Sequence, residues 1–380
     1  MRILAIETSC DETAVALLDI SGPKEAPKIE VLANSLFSQA HLHAEYGGVY
    51  PNLAKREHQK NLPVLLERTL EIASGNRRDS EGVGARLRVK TDAIPSVEAS
   101  VDYICVTQGP GLEPALWVGI TFAEELGRKW GKPVIPVDHM AGHIWSVLFK
   151  TDQSSKLKVQ SEKLEFPAVA LLVSGGHTEL VLIKDFGRYE ILGKTRDDAV
   201  GEAFDKVARM LGLGYPGGPA ISAMAEIARN KRQDANFKFP RPMINSNDLD
   251  FSYSGLKTAM LYYVKKHPPQ TDSEKAEIAR AFEDSAIEVL IEKTRKAIEQ
   301  NPKTRTLIVG GGVAANKLLQ TRLKELIESY PQLTLHMPEA SLSTDNAIMI
   351  GIAGFIRIEK GEQANKNITA KGNMALGFNS

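Results

Sequence analysis

MRILAIETSCDETAVALLDI (residues 1–20) and FPAVALLVSGGHTELVLIK (residues 166–184) follow one plan. In each, an apolar run (RILAIET, PAVALLV) meets a short polar loop (SCDE, SGGHT) and a second apolar run (TAVALLDI, ELVLI). Each predicts a β-turn-β unit whose loop sits between buried strands. Repetition of the plan predicts an internal duplication, two similar α/β domains facing each other across a cleft. Strand-like VDYICVTQ (residues 101–108) before helix-like EPALWVGITFAEELGRKW (residues 113–130) supports α/β layering. The expected divisions are an N-terminal domain over 1–149, a linker over 150–165, a C-terminal domain over 166–358 and a tail over 359–380. Residues 75–100, charged and rich in Gly and Ser without periodicity, predict a surface insertion in the first domain.

At 380 residues the chain has room for two domains, each with its own core. Hydrophobic content of 43% and charged content of 25% fit an ordinary globular protein. The formal net charge is zero, so a nucleic-acid partner has to be held by local patches. Cys10 and Cys105 are the two cysteines, which argues against a disulfide framework and for a reducing cytosol. No apolar run approaches the roughly 20 residues of a membrane span, and the first residues lack a signal-peptide pattern. A cytoplasmic protein without membrane contact is expected.

Three glycine loops follow. TLIVGGGVAANKLLQTRLKEL (residues 306–326) joins a β-run to a helical pattern through Gly310, Gly311 and Gly312. Such a turn brings backbone amides close to a phosphate, although the spacing is not the dinucleotide fingerprint. SGGHT offers Ser174, Gly175 and Gly176 as amide donors. GYPGGPAIS (residues 214–222) is a third close-approach turn, at Gly217 and Gly218. Together with the duplicated hairpins, these loops suggest the actin-like ATPase architecture.

A different chemistry stands in VIPVDHMAGHIWSVL (residues 134–148), where His139 and His143 lie four residues apart. On a helix both rings share one face and can grip one metal ion, or both can be polar core residues. Met140 follows the first histidine where an H-E-x-x-H peptidase carries its glutamate base. Among the acids, Asp345 in SLSTDNAIMIGIAGF can cap a helix, and Asp205 can pair along its own helix with Arg209. Asp11 and Glu12 sit in the first hairpin turn.

Read together, IETSCDETAVALLD, HAEYGGVYPNLAKREH, QGPGL, VDHMAGH, LLVSGGHTEL, GEAFDKVARMLGLGYPGGP, FSYSGLKTA, GGGVAAN and STDNA closely resemble the tRNA threonylcarbamoyladenosine transferases, bacterial branch. That family was formerly described as O-sialoglycoprotein endopeptidases. The resemblance implies an actin-like (ASKHA) fold of two RNase H-like α/β domains with a nucleotide between them. It implies one divalent metal, iron or zinc, on His139, His143 and Asp345. It further implies substrate-binding positions at Leu172, Val173, Ser174, Gly175, Gly176, Asp205, Gly218 and Asn316. Ser222 stands where some members carry a substrate-contacting aspartate.

The implied reaction moves threonylcarbamoyl from threonylcarbamoyl-AMP to the exocyclic amine of the adenine beside the anticodon. Asp11 or Glu12 is the expected proton acceptor. Implied partners are tRNA, a catalytically silent paralogous subunit and a small ATPase. A kinase or another carbamoyltransferase on the same fold is the alternative, and metal content separates the two. Asn52, Glu113 and Trp117 depart from the commoner pattern. In the insertion, Arg77, Arg78, Arg86, Arg88 and Lys90 either touch tRNA phosphates or form a solvated loop.

Overall fold

The computed structural model describes residues 1–75, 94–148, 158–160, 164–231, 237–339, 342–362 and 367–377. The chain divides into two units. One comprises Met1–Gln39, Tyr50–Lys163 and Asp345–Ser380, the other Ala40–Val49 and Leu164–Thr344.

In the first unit the strands are β1 (Arg2–Glu7), β2 (Glu12–Ser21), β3 (Lys28–Ser38), β4 (Tyr103–Gly109), β5 (Val134–Asp138) and β6 (Lys158–Gln160). They form one sheet in the order β5-β4-β1-β2-β3-β6. The opening hairpin is antiparallel and in register from Arg2–Asp19 to Glu7–Ala14, while β1 runs parallel to β4, and β4 to β5. Both faces of β1 and β2 are covered, which explains why these strands read as nearly unbroken apolar runs. Period-two alternation sends Leu4, Ile6, Val15 and Leu17 toward helices α2 (Pro51–Ala73) and α4 (Glu113–Trp130). Ala5 and Leu18 meet α11 (Ala347–Glu359) instead. That last helix lies flat on the sheet. A Cβ at Gly351 would stand 2.3 Å from Leu18, and one at Gly354 would stand 2.3 Å from the Cys105 sulfur. The remaining helices of the unit are α3 (Ile94–Ser100) and α5 (His139–Trp145).

The second unit repeats the order of five of those strands and has no counterpart of β6 among the described residues. Its strands β7 (Ala168–Val173), β8 (Thr178–Asp185), β9 (Arg188–Lys194), β10 (Thr306–Gly310) and β11 (Thr334–His336) run in the order β11-β10-β7-β8-β9. Again the hairpin is antiparallel and the crossover neighbour parallel. The sheet packs with α6 (Val200–Met210), α7 (Gly217–Asn230), α8 (Ser254–Lys266), α9 (Asp272–Gln300) and α10 (Lys317–Glu328), and α1 (Ala40–His43) also belongs to this unit. Within its core, Phe204 and Phe282 meet edge to face at 5.0 Å. Helix α9 opens on a capping box in which Thr271 and Glu274 satisfy each other's backbone amides. The expected duplication of two α/β sheets is therefore present.

Three divisions of the chain differ from expectation. The second domain does not run to residue 358, because Asp345 onward belongs to the first unit. The physical reason is α11 itself: Ala347–Ile356 is buried residue after residue, and the first sheet supplies its cover. The stretch read as a linker contributes a strand, since Lys158–Gln160 pairs with Lys28–Glu30. The stretch read as an aperiodic insertion ends in α3, too short to show a helical period, with Val97 in the core. Its basic residues, Arg77 to Lys90, lie outside the described residues. Among the described residues no helix is long and apolar enough to cross a membrane.

Candidate metal centre and glycine-loop site

Strand β5 ends at Asp138, whose carboxylate accepts the Met140 and Ala141 amides at 2.8 and 3.1 Å and starts α5. That start puts His139 and His143 one turn apart, with ring centroids 4.7 Å apart and planes at 86°. Gly142 between them lets α11 approach, for a Cβ there would lie 3.1 Å from Met349. Asn346, not Asp345, caps α11 by accepting the Met349 amide at 3.0 Å. The helix-capping role read for Asp345 thus falls to its neighbour. The Asp345 carboxylate is left facing the histidines, its Oδ1 3.3 Å from His139 Nε2 and 3.2 Å from His143 Nε2. One ligand atom from each of the three lies within 4.8 Å of the others.

The donor set suits a divalent metal. His143 is fully buried, and neither ring nitrogen makes a hydrogen bond of good geometry, its 3.2 Å approach to Asp345 included. Two imidazoles and one carboxylate with room for further ligands match ferrous iron or zinc. Behind His139 stands Glu7, unremarked in the sequence as the last residue of β1. Its Oε2 lies 3.0 Å from His139 Nδ1, and Ser9 Oγ lies 3.2 Å from the same nitrogen. Glu7 also accepts the Thr107 hydroxyl at 2.7 Å and the Ser9 amide. A carboxylate on Nδ1 holds the hydrogen of that nitrogen, so Nε2 is the atom that would offer its lone pair to a metal beside Asp345.

Charges follow the geometry. Burial works against a charged His139, but Asp345 and then Glu7 outweigh it and raise the ring well above its ordinary value. Burial lowers His143. At Asp345 burial raises the carboxyl, yet the two histidines win and hold it far below the carboxylate range. The pocket thus favours positive charge beside Asp345. Glu12 is pushed up to about 10, by burial first and then by Asp11 and Asp345. Its Oε1 accepts the Ser38 hydroxyl at 3.2 Å, and Asp11 beside it is only 8% exposed. Met140 is buried, so no carboxylate base occupies the position after His139.

In the second unit the glycine loops stand at the carboxyl ends of the parallel strands β7 and β10 and at helix starts, where α/β sheets bind ligands. Ser174 Oγ accepts the His177 amide at 3.1 Å, closing the SGGHT turn. Gly311 has φ +93°, and a Cβ on it would stand 2.3 Å from the Val173 carbonyl. Gly201, the second residue of α6, packs on Ser174, and a Cβ on it would stand 2.6 Å from the Ser174 carbonyl. Asp205 accepts the Gly217 amide at 2.7 Å and so fixes the start of α7, a longer-range role than pairing along its helix. Leu172 and Val173 are fully buried, backbone and side chain alike, as the last residues of β7. Around Gly175, Gly176, Gly218 and Gly312 there is open space where a Cβ would be. Asn316 donates directly to the Ser222 hydroxyl at 3.0 Å, and both donate at 2.7 Å to Glu283, a residue the sequence reading did not single out.

A family model described as tRNA N6-adenosine threonylcarbamoyltransferase (TsaD) matches residues 30–85 and 94–352. The chain belongs to this family. The break at residues 86–93 falls inside the stretch read as an insertion. A tRNA N6-adenosine threonylcarbamoyltransferase from Aromatoleum aromaticum is 42% identical over 366 residues, 96% of this chain and 94% of the relative. One from Nitrosospira multiformis is 41% identical over 368 residues, 97% and 94% of the two chains. Among solved structures, T. kodakarensis HypF matches 95% of this chain and 49% of its own at 13% identity, with a TM-score of 0.51. That likeness is one of fold. As a member of the threonylcarbamoyltransferase family, the protein is a transferase that modifies tRNA adenosine.

Proposed function

We propose that the protein transfers a threonylcarbamoyl group from threonylcarbamoyl-AMP to the exocyclic amine of the adenine beside the anticodon, releasing AMP. The tRNAs it serves read codons that begin with adenine. The observation that carries this reading is the convergence of His139 and His143, one turn apart on α5, with Asp345 about 200 residues later in a chain of this family. A bound divalent metal, ferrous iron or zinc, supplies Lewis-acid polarisation of the donor's carbonyl. The chain's own residues do the rest. Glu7 fixes the ring of His139 so that Nε2 presents its lone pair. The amides of Gly175 and Gly176 receive phosphate charge, while the Ser174 amide closes the turn by donating to the His177 carbonyl at 2.9 Å. Asp205 holds the turn at Gly217 and Gly218 in place.

An adenine amine is a poor nucleophile, so positioning it contributes more than any single base. Glu12, pushed up to about 10 chiefly by burial, keeps its proton at neutral pH. Asp11 is therefore the acceptor assigned to the amine's proton. The protein works in the cytoplasm with a catalytically silent paralogous subunit and a small ATPase. The test is transfer from threonylcarbamoyl-AMP to unmodified tRNA with those partners supplied, comparing wild type with His139→Ala. Loss of transfer supports the reading, and modification unaffected by losing His139 refutes it. Full transfer by Asp11→Ala at normal metal content removes Asp11 from its role.

A further inference from the structure

Helix α2 carries a histidine outside the metal centre. His58 ends the HAEYGGVYPNLAKREH stretch and is fully buried in the first unit. Its Nε2 lies 3.0 Å from the Cys10 carbonyl oxygen. Its Nδ1 lies 2.8 Å from the Thr13 hydroxyl and 3.4 Å from the Gln39 side-chain nitrogen. A carbonyl only accepts, so Nε2 carries the ring's hydrogen and donates it. In the neutral ring Nδ1 is then a lone pair, to which the Thr13 hydroxyl and the Gln39 amide donate. One imidazole in one tautomer thus reaches both the residue before Asp11 and the residue after Glu12.

The acids between those two residues are tied to the same neighbourhood. The Gln39 backbone amide donates to the Asp11 carbonyl at 2.9 Å, and the Ser38 hydroxyl donates to Glu12 at 3.2 Å. The Asp11 and Glu12 side chains also hydrogen-bond each other, so a small change in the turn redirects both carboxyls. We infer that His58 is a positioning residue for the tRNA-modifying reaction, holding Cys10 and Thr13 so that the Asp11 carboxylate is aimed at the amine. This deepens the role proposed for Asp11 above and rests on it. The metal centre has separate supports, because Ser9 is held by Glu7 and by the Leu112 amide at 2.8 Å. A change at His58 therefore reaches Asp11 and leaves the metal's grip in place.

The experiment compares wild type, His58→Asn and Thr13→Val in threonylcarbamoyl transfer to unmodified tRNA with the partners supplied, alongside zinc titration and urea unfolding. Asparagine keeps an acceptor for Thr13 but cannot reach the Cys10 carbonyl. Valine matches threonine in shape and takes from Nδ1 its closer donor, which tests the clamp should His58→Asn fail to fold. A reacting group misplaced by about 1 Å can cost roughly a hundredfold, and a turn that keeps part of its clamp loses roughly tenfold. In His58→Asn kcat falls by that roughly tenfold, and in Thr13→Val by less, while KM for tRNA and zinc affinity stay within about twofold. Added to Asp11→Ala, His58→Asn costs nothing more, because the residue it acts through is gone. Nitrogen NMR of the histidine rings finds wild-type His58 as the Nε2–H tautomer. Unchanged kcat in both folded variants, the same proportional loss with and without Asp11, or a hydrogen found on Nδ1 alone overturns the inference while Asp11 keeps its role. Full transfer by Asp11→Ala at normal metal content removes Asp11 from that role, and this inference with it.

Discussion

Replacing Glu7 by glutamine keeps the side chain's shape and removes its charge, which isolates what the carboxylate does for the metal centre. Glu7 is fully buried and makes three contacts: His139 Nδ1 at 3.0 Å, the Thr107 hydroxyl at 2.7 Å and the Ser9 amide. All three bring hydrogens to two oxygens. Glutamine has one oxygen, so at least one donor faces its NH2 and the imidazole loses a charged acceptor. A hydrogen bond to a charged group contributes about 1.5–3 kcal/mol, and removing a partner of a metal-bound histidine costs roughly 10–100-fold in metal affinity. A factor of 10–100 is about 1.4–2.7 kcal/mol, so the two routes agree. The assay is zinc titration against a competing chelator, with urea unfolding to confirm that the variant folds. Zinc affinity of folded Glu7→Gln within twofold of wild type would refute the reasoning.

Further outcomes concern the two units separately. Gly351→Ala puts a methyl group where 2.3 Å separates a Cβ from Leu18, and overpacking of that kind costs roughly 1–3 kcal/mol in urea unfolding; Gly361→Ala, with nothing within 4 Å of its Cβ, gives no such clash, though its positive φ adds strain. Asp198 ion-pairs with Lys206 at 3.0 Å and Lys257 at 2.6 Å. Burial raises its carboxyl, but the two lysines more than offset that and lower it. A depressed carboxyl stabilises the fold above its unfolded pKa of about 3.9 and loses that contribution as pH falls through the folded value. Asp198→Asn therefore melts earlier than wild type at pH 7 by about 1 kcal/mol, and the gap closes in acid; a gap that persists at pH 2 contradicts the assignment.

The fold was legible where the pattern was local. The two hairpins announced themselves because strands covered on both faces read as unbroken apolar runs, and a four-residue polar loop between such runs has few alternatives. The return of residues 345–377 to the first unit was not legible. An apolar helix shows that it is buried, never which sheet buries it, and only the close fit of Gly351 and Gly354 to β2 and β4 records the answer. At the site, histidine spacing exposed a pair, while the third ligand needed the family resemblance. Glu7 and Glu283 escaped because each is defined by what it accepts from residues far off in sequence: His139 for one, Ser222 and Asn316 for the other. Asp205 was visible as a charged helix residue, yet its bond to the Gly217 amide is set by the turn between α6 and α7.

The order in which the candidate metal ligands are synthesised follows from the path of α11. His139 and His143 leave the ribosome long before Asp345, roughly 10–40 s earlier at 5–20 residues per second. Until then the sheet surface around Ala5, Leu18 and Cys105 lacks the helix that covers it. The nascent chain offers a metal only two imidazoles, a weak grip compared with the finished three-donor set. Full-strength metal capture thus marks a chain translated through its second unit. A product stalled or cleaved before Asp345 reveals itself by failing to hold metal and by leaving an apolar face for chaperones to find.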